Sequence, residues 1–144
     1  MKSILAISLL ILSVQGFAQK TAKIDHIKFK LNRITVYADT LFFEMNVANH
    51  SLLNYKIQYV KFFIRDRHIT TRTAVQEQEI FPLGANKVSL IAADSSVDLA
   101  LDFSQFSIPK TKELLISLKE RKGSRDLILR IKGKKLLRMI RNRE

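Results

Sequence analysis

The stretch Tyr55-Lys-Ile-Gln-Tyr-Val-Lys-Phe-Phe-Ile-Arg65 sets the fold class. It is dominated by β-branched and aromatic residues, and no Gly or Pro interrupts it, which is the composition of a strand. Tyr55, Ile57, Tyr59 and Lys61 share one face, and Lys56, Gln58, Val60, Phe62 and Ile64 share the other. Phe63 breaks the alternation, so the pattern predicts a strand whose second half is buried from both faces.

Upstream, Leu31–Tyr37 and Leu41–Val47 flank the polar break Ala38-Asp39-Thr40 and read as a hairpin, followed by a break at Asn49-His50-Ser51. Downstream, Thr71–Phe81 alternates and stops at Pro82, which lacks the N–H a central ladder needs. Ser96–Phe103 sets Val97, Leu99, Leu101 and Phe103 against Asp98 and Asp102, a half-buried strand. After Ile108-Pro109, the runs Leu114–Glu120 and Asp126–Lys132 flank Arg121–Arg125, where Gly123 suits a positive φ and predicts a second hairpin. Short strands broken every ten residues or so predict a single all-β domain, a sandwich or a barrel.

The two ends read differently. Lys2, the apolar run Ile4–Val14 and the small-x-small site Gly16-Phe17-Ala18 form a signal peptide over residues 1–18, leaving one domain over 19–144. The apolar run is shorter than the roughly 20 residues of a bilayer span, and no later segment is apolar enough to cross one. At the other end Leu136, Leu137, Met139 and Ile140 lie near one face of a short helix with Lys134, Lys135, Arg138 and Arg141 around it. A final strand or a helix packed on the core is favoured over a helix lying on a membrane.

Composition excludes several chemistries. There is no Cys, which removes thiol catalysis, Cys-ligated metals and disulfide framing, so the core alone stabilises the fold. His26, His50 and His68 stand at no metal-binding spacing. No phosphate loop, G-x-S-x-G elbow or G-x-G-x-x-G occurs, and Asp98 and Asp102 share a strand face too far apart to form a tight acid pair. The sequence therefore predicts a non-enzymatic protein without cofactor or metal.

The formal net charge is +12, and Lys110–Glu144 holds 13 Lys/Arg against Glu113, Glu120, Asp126 and Glu144. A field of that sign favours anionic partners. Lys122, Arg125, Lys134, Lys135, Arg138 and Arg141 form the candidate basic patch. Tyr55, Tyr59 and Lys61 give only a partial stacking platform, and export weighs against nucleic acid, while an anionic surface remains a candidate partner.

Several ordered blocks resemble the conjugative transposon TraN family of Bacteroides-type elements. Tyr55, Ile57, Val60, Phe62, Ile64, Arg65 and Asp66, then Arg72–Glu77 and Pro82-Leu83, match its "Y-x-I-x-F-x-x-F-x-I-R-D", "K-R-T-A-x-Q-E" and "P-L" blocks. Phe103-Ser-Gln-Phe106-Ser-Ile108-Pro109 resembles its "F-x-x-F-x-I-P", and Glu120–Leu127 its "E-K-N-G-G-R-x-L" turn, with Lys122-Gly123-Ser124 in place of Asn-Gly-Gly. Leu31-Asn32 and Asn46-Val-Ala-Asn49-His-Ser51 resemble its "L-N" start and "N-R-S" turn. The resemblance covers about residues 28–132 and is to the C-terminal domain of that family.

It implies a β-sandwich, immunoglobulin-like, in an exported subunit of a type IV secretion-like apparatus at the periplasm or outer membrane, with other apparatus subunits as partners. On the matched blocks, Arg65, Asp66 and Arg72 flank a loop where charge pairs fix strand ends, and Gln76 and Glu77 occupy opposite faces of the next strand. A fold-closing role for these five is favoured over partner binding. The alternative function is a stand-alone periplasmic module whose basic face takes anionic lipid, cell wall or nucleic acid.

Overall fold

The computed structural model describes residues 20–67 and 76–142, with side chains up to Ile140. The signal-peptide reading of residues 1–18, Arg72 and the first half of the strand expected over 71–81 lie outside the described residues.

The chain is an all-β sandwich with one short C-terminal helix. One sheet holds β1 (Lys20–Ile24), β2 (Ile27–Tyr37), β3 (Thr40–Asn49) and β7 (Ser95–Ser104), in the order β1-β2-β3-β7. The other holds β5 (Glu77–Ile80), β4 (Tyr55–Asp66), β8 (Lys112–Glu120) and β9 (Leu127–Lys132), in the order β5-β4-β8-β9. β6 (Leu90–Ile91) adds to the start of β4, and β10 (Ile140–Asn142) runs parallel to the end of β2. All other pairings are antiparallel.

Local chemistry explains the hairpins. β1 and β2 are joined by two residues, Asp25 at φ 40° and His26 at φ 64°, a left-handed pair whose twist matches that of the strands. Ala38, at φ 51°, turns the β2–β3 hairpin. In the β8–β9 turn the left-handed residue is Lys122, at φ 55°, rather than Gly123. Gly123 is needed for another reason: a Cβ there would run into the Glu120 carboxylate.

Phe63 is explained by a bulge. Ile57 pairs with Glu120 and Tyr59 with Lys119, so Gln58 is an extra residue. Tyr55 and Ile57 face the core before it, and Val60, Phe62 and Ile64 after it. The phase slips by one residue, and Phe63 turns away from the core cluster opposite Leu115; it is still half-buried and Leu115 is buried, so the second half of β4 is covered on both faces. β2 repeats the device at Asn32, with Ile27, Phe29 and Leu31 inward before it and Ile34 after it.

The core lies between the sheets. Phe43 meets Phe62 edge-on at 5.1 Å and Phe103 at 5.3 Å, and Phe62 and Phe103 stand 4.5 Å apart. Such pairs contribute about 1 kcal/mol beyond their burial. The helix α1 (Gly133–Met139) turns Leu136 and Met139 into this core and leaves Leu137 exposed. Gly133 opens it because the chain passes against the carbonyls of Ile108 and Pro109, leaving no room for a Cβ. The C-terminal segment is thus a helix followed by a strand, and its apolar stripe is largely used inside the molecule.

Candidate functional site

At one end of the sandwich, the loop between β3 and β4 (residues 50–54) meets the connection between β6 and β7 and the turn between β8 and β9. A buried polar cluster joins them. Asn49, the last residue of β3, is fully buried, a costly place for an amide unless every group is paired. Its Nδ2 donates to the carbonyls of Leu53 (2.8 Å), Ala92 (3.2 Å) and Ile91 (3.3 Å). Its Oδ1 accepts from the Ser51 hydroxyl at 2.6 Å and the Ser51 N–H at 3.0 Å. Every buried side-chain polar atom among the described residues has a partner.

Arg125 carries the cluster into the second sheet. Its Nη2 lies 2.6 Å from Glu120 Oε1, and its Nε donates to both oxygens of that carboxylate. Nη1 donates to Ser51 Oγ at 2.9 Å and Nη2 to the Asn54 carbonyl at 3.0 Å. The guanidinium carbon stands 5.2 Å from the Tyr55 ring centre, and the Tyr55 hydroxyl donates to the Arg125 carbonyl at 2.8 Å. The Glu120 N–H donates to Asp126 Oδ1 at 3.0 Å.

Hydrogen bonding from Arg125 holds the Glu120 carboxyl below its ordinary value against the opposing effect of burial. The same bond raises the Arg125 guanidinium. Burial, then the Glu120 charge, pushes the Tyr55 phenol above its usual range. The cluster is a fixed set of charges and donors that ties two sheets together.

The predicted site residues fall in three places. Arg65 pairs across strands with Glu113 at 2.7 Å and Glu77 at 3.7 Å, and Asp66 with Lys112 at 3.8 Å. Arg65 and Glu113 are largely shielded, whereas Gln76 and Glu77 are exposed. Lys122 is exposed on its turn. The basic patch does not assemble as one surface. Arg125 is shielded and paired, and α1, with exposed Lys134 and Arg138 and half-buried Lys135, begins at the far end of β9. Six strand residues separate the two parts by about 20 Å. The Arg141 side chain lies outside the described residues.

Asn49, Tyr55 and Glu120 were not expected as a cluster. The available signal was that they stand in the blocks Asn49–Ser51, Tyr55–Asp66 and Glu120–Leu127. No group of His, Asp or Glu that would hold a metal occurs among the described residues, and none of their helices is long and apolar enough to cross a membrane.

These features define a two-sheet β domain closed at one end by a buried polar cluster. The chain belongs to the family described as Domain of unknown function (DUF4138), whose model matches residues 13–140. No curated protein matches it.

Proposed function

We propose that this protein is a non-enzymatic, exported structural subunit of a conjugative transfer apparatus in the cell envelope, of the TraN kind. The observation that carries the reading concerns the Pro82-Leu83 block. The blocks at Leu31-Asn32, Asn49–Ser51, Tyr55–Asp66, Phe103–Pro109 and Glu120–Leu127 supply residues to the closing cluster or the core, but Leu83 is 63% exposed and its neighbour Phe81 72%. Isolated exposed apolar residues need no explanation; two that flank Pro82 on one connection suit contact with another subunit.

The segment is anchored rather than loose. The Leu83 N–H donates to the Asp102 carbonyl at 2.7 Å and the Ile57 N–H to the Ser89 carbonyl at 2.9 Å, so Phe81 and Leu83 are presented from a fixed backbone. A rigid apolar anchor loses little entropy on binding.

The test is affinity capture of the tagged full chain from detergent-solubilised envelopes of its native cells. Recovery of identified transfer-apparatus subunits, lost in Phe81→Ser/Leu83→Ser, is expected. Recovery of the chain alone contradicts the reading and favours a stand-alone module.

A further inference from the structure

The loop after β3 ends in two adjacent leucines that face outward. Leu52 is 94% exposed and Leu53 70%. Packing does not explain them, since neither belongs to the core. Around them stand cations without ion-pair partners among the described residues. Lys56, Arg121 and Lys122 line one surface hollow, held together by the Arg121 N–H donating to the Lys56 carbonyl at 2.8 Å. The neighbouring β1–β2 turn adds Lys23, Lys28 and His26, with His50 bonded to it through its N–H. The acids at this end are Asp25, Asp94, Asp126 and Glu120; Glu120 is engaged by Arg125, and Asp126 accepts from the Glu120 N–H.

Part of the loop backbone is paired from within. The Leu53 carbonyl accepts from Asn49 Nδ2, the Ser51 carbonyl from the Asp94 N–H, and the Asn54 carbonyl from Arg125. A loop that enters a lipid interface must bring its polar groups already paired. The buried cluster that closes the fold does this for the Leu53 and Asn54 carbonyls at the base of the leucine tip.

The geometry points to a docking site for an anionic lipid bilayer at this end of the sandwich. Leu52 and Leu53 enter the headgroup–acyl boundary while Lys56, Arg121 and Lys122 meet lipid phosphates. A protruding apolar tip within a cationic rim suits a deformable anionic surface, since apolar area and charge add in interfacial binding. The basic face therefore lies at the loop end and not on α1, where Leu136 and Met139 are folded inward. This inference goes beyond the proposed assembly role and needs no apparatus subunit, so the two fail independently.

The chain has no cysteine, so Leu53→Cys carries a single environment-sensitive dye on the full chain, with Leu137→Cys as the remote comparison. The probes are vesicles of pure phosphatidylcholine and of phosphatidylcholine mixed with one-quarter phosphatidylglycerol. On the anionic vesicles the dye at 53 is expected to brighten and shift to the blue while the dye at 137 stays in water. Lys56→Glu/Arg121→Glu/Lys122→Glu should weaken the response at least ~10-fold, and salt near ~0.5 M should reduce it. A dye at 53 that stays in water on the anionic vesicles overturns the proposal, whether or not the chain floats with them. So does a response unchanged by the triple substitution.

Discussion

Arg125 joins two segments that lie far apart in the chain: its own hairpin, through Glu120, and residues 51–55, through Ser51, Asn54 and the ring of Tyr55. Removing one partner of a shielded ion pair leaves the other uncompensated, so Arg125→Met should cost about 3 kcal/mol in urea unfolding. Gly123→Ala should cost about 2 kcal/mol, because the added methyl displaces the Glu120 carboxylate from its bond to Arg125. The folded state holds Glu120 below its unfolded value of about 4.3, so its stabilisation is complete above that pH and is lost as pH falls through the folded value. Glu120→Gln should therefore lie well below the parent in Tm at neutral pH and approach it in acid. A gap that stays constant would contradict the assignment. Arg125 reads as a solvated cation in sequence because turn cations usually are. Two of its partners come from more than seventy positions away, and no local pattern announces them.

At the scale of elements, the two bulges set which side chains reach the core. Deleting Lys61, in the regular stretch between Val60 and Phe62, would force Tyr55, Ile57 and Val60, or else Phe62 and Ile64, onto the outer face. We expect that deletion to abolish cooperative unfolding in circular dichroism, whereas deleting Ala85, exposed on its connection, should leave it intact. The strands of the sandwich were mostly legible because period-two alternation is a direct record of one buried face. The bulge in β4 was not: a one-residue slip in alternation looks the same as burial on both sides until the partner strand fixes the register. β1 escaped notice because Lys20–Ile24 is short and half cationic. The C-terminal helix showed its apolar stripe, but Gly133 gave no hint of the close pass by Ile108 and Pro109 that aims the stripe inward.

At the scale of the molecule, the closing cluster, the leucine tip and the Phe81–Leu83 segment are distinct parts of one domain. Surface apolar residues contribute little to folding, so Phe81→Ser/Leu83→Ser should shift unfolding by less than about 0.5 kcal/mol while removing partner capture. A larger loss of stability would mean the pair packs the fold and is not a contact surface. The most direct measurement is site-specific photo-crosslinking in living donor cells, with a photoreactive residue in place of Leu83. The account predicts a defined adduct with an identified subunit of the transfer apparatus, absent when the probe replaces Lys134 at the far end of β9. No adduct at 83, or the same adducts from both positions, would contradict it.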